Sequence, residues 1–175
     1  DMFGGGDEEV GEEPVATTAL ATIHTTSHAY HIAAKPEEQE ELARLLALQD
    51  SFSFDTETTS LDERNAELVG LSFSWKAHTG WYVPVPNVRA EAEAVVGRFK
   101  AALENERTLK VGQNIKYDLI VLEGYGVHLA GPQFDTMLAH YLLQPELRHG
   151  MDYMAETVLG YRPVSITELI GPKGK

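Results

Sequence analysis

The sequence contains no cysteine, which excludes disulfides and thiolate-held metals and is compatible with a reducing compartment. It has no apolar run approaching the ~20 residues a membrane-spanning helix needs, and no stretch within it resembles a signal peptide. Basic residues are scarce: 14 Lys and Arg stand against 27 Asp and Glu, a net charge of −13. A large nucleic-acid-binding surface would normally be basic, so any such contact is expected to be small, metal-assisted or helped by neighbouring domains. Part of the acidity is local. Asp1 to Glu13 holds acids and no base, with Gly4, Gly5 and Gly6 among them, and reads as a flexible linker. Residues 1–28 are read as this acidic linker and 29–175 as one domain with a full core. The chain opens on Asp1 and closes on GPKGK, so a piece cut from a longer protein is expected.

What the sequence does hold is a strand with two acids. Ser51 to Leu61 reads SFSFDTETTSL, and its alternation has the period of two that marks a strand. Phe52, Phe54 and Thr56 then share one face, and Ser53, Asp55 and Glu57 share the other. Next-but-one residues lie roughly 6–7 Å apart, so two carboxylates project side by side and repel unless a proton or cation neutralises them. The plain alternative is that Asp55 caps a turn beside Thr58, Thr59 and Ser60.

Around this strand, Thr17 to Ser27 gives a weak strand signal and Ala29 to Ala33 a short strand. Pro36 starts a helix through Leu48, with acids in its first turn. Leu68 to Trp75 and Gly80 to Val85 are further strands, suggesting an antiparallel meander with the first. A helix follows over Ala90 to Leu103, with Ala94, Val95, Phe99 and Leu103 on its apolar face. Leu109 to Gly112 is a strand, and helices are expected over Asn114 to Glu123, Phe134 to Leu143 and Met151 to Leu159. Gly124 and Gly126 end the first of these helices, and Gly160 ends the last. This order predicts an α/β layer around a mixed sheet, without internal repeats. Asn114 and Asp118, four apart, share a helix face beside Ile115, Leu119 and Leu122. The plain reading makes Asn114 a cap and Asp118 a surface acid.

The runs FDTETTSL, ELVGLSFSW, LKVGQNIKYDLIVL, FDTMLAHYLL and HGMDYMAETVLG occur in this order. Together they resemble the 3′–5′ proofreading exonuclease domains of bacterial family A polymerases, the DNA polymerase I enzymes, within the DEDD exonuclease superfamily. The resemblance covers roughly Tyr30 to Lys175. It implies an RNase H-like fold, a mixed sheet flanked by helices, and metal ligands at Asp55, Glu57 and Asp118, which are also the catalytic residues. It places Leu61, Asn114 and Thr56 at the substrate, with Leu61 packing against terminal bases. Hard cations prefer carboxylate oxygens, and two ions roughly 3.5–4 Å apart serve phosphodiester hydrolysis. Mg²⁺ or Mn²⁺ is therefore the expected cofactor, with Asp55 bridging two ions, Glu57 holding the one that activates water and Asp118 the one at the leaving oxygen.

The implied partners are a single-stranded DNA 3′ end and a polymerase domain of the same parent chain, with no membrane, in the bacterial cytoplasm at the nucleoid. A third motif, a tyrosine and an aspartate four apart on a later helix, is expected beyond Lys175. Tyr153 with Thr157 and Tyr161 with Ser165 have that spacing without the acid. This chain is thus expected to hold three of four carboxylates and to be weakly active or inactive. A non-catalytic scaffold module of a polymerase and a DEDD ribonuclease remain alternatives. Asp135 reads as an N-cap, His149 as structural, His24, His28 and His31 as incidental, Lys116 as a solvated side chain, and Trp75 and Trp81 as core or rim.

Overall fold

The computed structural model describes residues 19–165, 167, 168 and 171. The acidic run at 1–13 and most of the GPKGK tail lie outside these residues, as do positions 17 and 18 of the weak strand signal. The described part of that signal is a turn in which Ala21 pairs singly with Tyr161.

Eleven elements follow: β1 (Ala29–Ile32), α1 (Pro36–Leu46), β2 (Ser51–Thr58), β3 (Leu68–Ser74), β4 (Thr79–Pro84), α2 (Arg89–Leu103), β5 (Leu109–Gly112), α3 (Lys116–Glu123), β6 (Gln133–Asp135), α4 (Thr136–Leu143) and α5 (Met151–Leu159). The strands form one sheet in the order β1-β4-β3-β2-β5-β6. β2, β3 and β4 are the antiparallel meander read from the sequence. β5 joins β2 in parallel, β6 joins β5 in parallel, and β1 lies parallel to β4 at the far edge. The α/β class with a mixed, RNase H-like sheet flanked by helices is the fold observed.

The alternation of β2 sorts its residues by face. Phe52 and Phe54 are buried together with Leu71, Phe73 and Val83 of the neighbouring strands. α2 closes over this face, with Phe99 stacked on Phe73 at 5.0 Å between ring centroids, and α1 packs beside α2 with Leu42 and Leu46 buried. In α2 the buried side runs through Ala92, Val95, Val96, Phe99 and Leu103, so Ala94, expected inward, is exposed. Ala92 and Val96 lie a turn apart beside Phe99, which leaves Ala94 on the opposite side. Trp75 and Trp81 pack on the rim of the core, where His31 stacks on Trp81.

α3 and α4 depart from the sequence reading. α3 starts at Lys116, because Asn114 adopts a positive φ of 60° that no helix residue can hold. Phe134 belongs to β6 and not to α4, since residues 133–135 pair with β5. The apolar stripe of α4 is not a core face: Leu138, Tyr141 and Leu142 are exposed, and His140 is its buried residue. Of that stripe, Tyr141 meets the His149 ring edge-on at 5.3 Å between centroids. α5 runs as read from the sequence, starting after Gly150 and ending at Gly160, whose left-handed φ of 61° suits a residue without a β-carbon.

Candidate active site

Asp55 and Glu57 leave β2 on the face opposite the core, across from Ser72 and Gly70 of β3. A bulge between Glu57 and Thr58 ends the regular pairing there. On the other side, β5 accompanies β2 only as far as Ser53, so the backbone edge beyond it lacks a ladder partner. Asp118 fills that gap. From the first turn of α3 its Oδ1 accepts the Thr56 backbone N–H at 3.0 Å and the Thr56 hydroxyl at 2.6 Å. It is 2% exposed, so the reading of a solvated surface acid is set aside. The resemblance placed Thr56 at the substrate; here its hydroxyl donates to Asp118.

The carboxylates are crowded. Burial, the charge of Asp118 and the charge of Glu57, in that order, push Asp55 up to about 7, against the pull of its hydrogen bond from the Thr56 backbone. Burial also raises Asp118, and the Thr56 hydrogen bonds only partly offset it. Even so, among the described residues no three His, Cys, Asp or Glu side chains are already gathered as a metal-holding group. Glu57 is exposed and Asp118 is turned toward Thr56. The donor set is nonetheless hard oxygen throughout, and its uncompensated negative charge suits a divalent cation.

Asn114 does not share a helix face with Asp118. It precedes α3, its side chain accepts from Lys116, and its backbone N–H is held by Asp135. Leu61 projects from the loop after β2, 92% exposed, an apolar tip with nothing covering it among the described residues.

Three residues make contacts that the sequence did not reveal. Asp135 does cap α4, taking the N–H groups of Met137 and Leu138, but it also takes those of Asn114 and Ile115. One side chain thus ties the start of α3, and through it Asp118, to the start of α4. Asp135→Ala is expected to cost about 2–4 kcal/mol in urea unfolding, because a cap and two further charge-assisted bonds vanish together. A loss below about 0.5 kcal/mol would show that the tie is idle. Tyr117 reaches from α3 to the Thr58 hydroxyl and the Ser60 carbonyl, bracing the loop that carries Leu61. Tyr82 of β4 lies over Gly70, where burial and the charge of Glu57 raise its phenol. The sequence signal for Asp135 was the residue pattern of a cap, which reveals one partner pair; the second pair is a product of the fold.

His149 is structural, its Nδ1 lying 2.7 Å from Nδ1 of the buried His140. Beside Asp55, a cleft of about 910 Å³ opens between the sheet and α5, walled by Ser53, Ser72 and Tyr82 on one side and Met154 and Val158 on the other. No described helix is long and apolar enough to cross a membrane.

Comparison with known proteins agrees with this geometry. A family model described as 3′–5′ exonuclease matches residues 30–174. The DNA polymerase I of Borreliella burgdorferi is 30% identical over 164 residues, which is 91% of this chain and 18% of that protein. That of Pseudomonas aeruginosa is 37% identical over 132 residues, 70% of this chain and 14% of that protein. The chain therefore spans less than a fifth of these relatives' length. Among solved structures, Brucella melitensis NrnC with bound Mg²⁺ superposes with a TM-score of 0.63 at 19% identity, over 86% of this chain and 69% of that one. At that identity the likeness is one of fold.

Proposed function

The chain belongs to the 3′–5′ exonuclease family, and from that premise we propose that it is the proofreading exonuclease domain of a DNA polymerase I, hydrolysing the 3′-terminal phosphodiester of single-stranded DNA. The domain is assigned to residues 29–175 and the acidic linker to 1–28, with a polymerase domain as its partner in a cytoplasmic, nucleoid-associated parent. The observation that carries the reading is the setting of Asp55, where burial first, and then the charges of Asp118 and Glu57, push the carboxyl up to about 7. A site kept only as scaffold gains nothing from a half-buried acid set against the charges of two others, whereas a cation-binding site needs them.

Asp55, Glu57 and Asp118 would hold Mg²⁺ or Mn²⁺. Bound there, such ions supply a nucleophile at neutral pH and offset charge on the phosphoryl oxygens. Thr56 fixes Asp118 in its buried position through two hydrogen bonds. Leu61, braced from Tyr117 through Ser60, offers an apolar contact to frayed terminal bases that is indifferent to their identity. Asn114, in its left-handed conformation ahead of α3, would contact the substrate strand.

The reading is tested with 5′-labelled single strands of DNA and of RNA at equal sequence. A metal-dependent ladder shortening from the 3′ end of DNA is expected. Products from RNA alone would favour a ribonuclease, and no products from either, together with a melting temperature that no divalent cation raises, would favour the scaffold alternative.

A further inference from the structure

Gly70 and Tyr82 form a device on the acid-bearing face of the sheet. Gly70 is the cross-strand partner of Glu57, so any side chain at Gly70 would stand directly beside Glu57. Directly opposed residues of an antiparallel pair have β-carbons about 4.5–5.5 Å apart. Gly70 has no side chain, and the space is taken from the next strand. Tyr82, which pairs with Ser72, lays its ring diagonally across Gly70. A β-carbon built on Gly70 would fall 2.3 Å from the Tyr82 hydroxyl oxygen and 2.5 Å from two of its ring carbons. The phenol therefore stands where the neighbour of Glu57 would be. Its hydroxyl donates to the Val69 carbonyl at 3.3 Å, a long bond that is readily exchanged for a carboxylate acceptor. The same ring borders the cleft that Asp55 lines.

We propose that Tyr82, seated in the notch left by Gly70, is a positioning residue that donates its phenolic hydrogen to the Glu57 carboxylate and holds it toward Asp55 when a divalent cation binds. The proposal rests on the assignment of Glu57 as a metal ligand. It explains why the face opposite a ligand strand carries a glycine, and why an exposed glutamate on an otherwise bare face can be held in one orientation. Groups that orient a ligand typically change metal affinity about 10–100-fold when removed.

The test is thermal melting of the 175-residue chain across a MnCl₂ titration, for the unsubstituted protein and for Tyr82→Phe, Gly70→Ala and Asp55→Ala. Tyr82→Phe keeps the ring and is expected to leave the metal-free melting temperature nearly unchanged. It should raise the Mn²⁺ concentration at half-maximal stabilisation about 10-fold. Gly70→Ala, whose methyl evicts the phenol, should shift that midpoint equally, and the double variant no further. If Tyr82→Phe keeps the midpoint of the unsubstituted chain while Asp55→Ala abolishes the stabilisation, the proposal is overturned and the metal-site assignment stands. If the unsubstituted chain gains nothing from Mn²⁺, both fall together. Should Gly70→Ala fail to fold, the Tyr82→Phe midpoint decides alone.

Discussion

Asp55→Ala is expected to abolish metal-dependent removal of 3′-terminal nucleotides, a loss of about 10³-fold or more. Asp55 is the carboxylate that feels both of the others, so no remaining pair can take over its place. Members of such a set act as a unit, and Asp55→Ala combined with Asp118→Ala should be scarcely worse than either alone. Loss of fold is not the cause the account expects. Removing a carboxyl that burial and two like charges disfavour should leave the metal-free protein at least as stable as before. The assay uses enzyme in excess over a 5′-labelled single strand and long incubations, so that even a weak starting rate leaves a thousandfold window. A loss smaller than about tenfold would remove Asp55 from the chemistry.

The second large effect is a reversal of pH dependence by metal. Asp55 is raised from 3.8 to about 7 in the folded chain, so the folded state binds its proton more tightly than the unfolded state does. The stability this group contributes is therefore fully present below about 3.8 and lost as pH rises through about 7. Metal-free protein should melt higher at pH 5.5 than at pH 8 by that contribution, and Asp55→Asn should flatten the difference. Mn²⁺ competes with the same proton, so its stabilisation should run the other way. At about 100 times its dissociation constant a cation adds about 2.7 kcal/mol, or roughly 5–10 °C for a domain of this size. That gain is expected at pH 8 and should shrink markedly at pH 5.5. A Mn²⁺ shift that is equal at both pH values, or that survives in Asp55→Asn, would show the ion binding elsewhere.

Much of this arrangement was legible because local pattern and global fold agree in β2. Its strict alternation alone places Phe52 and Phe54 in the core and Asp55 and Glu57 on the open face. The meander, α1, α2 and α5 were readable for the same reason. What escaped was long-range. Alternation puts Thr56 on the face of Phe52 and Phe54, but no local pattern shows that its hydroxyl is taken by an acid sixty-two positions later, at a strand edge left open by a short partner. Asn114 fits a helix by spacing, but it takes a positive φ where Asp135, from a later element, accepts two successive N–H groups. Phe134 carries a helix-like period with Leu138 and Tyr141, but pairing with β5 overrides it. The parallel placement of β1 on β4 has no sequence signal, since four residues at an edge carry no register information. Tyr82 was invisible because its significance lies in an absence, the missing side chain of Gly70 on a different strand.

The central claim is that Asp55, Glu57 and Asp118 together bind the divalent cation that the reaction requires. Anomalous scattering at the manganese edge, from crystals of this chain soaked in MnCl₂, tests it most directly. The account expects an anomalous peak in contact with the Asp55 carboxylate, with Glu57 or Asp118 drawn to it at oxygen–metal distances of about 2.0–2.2 Å, and no such peak in Asp55→Ala crystals. A peak remote from these three side chains, or none at millimolar Mn²⁺ above pH 7.5, would contradict it.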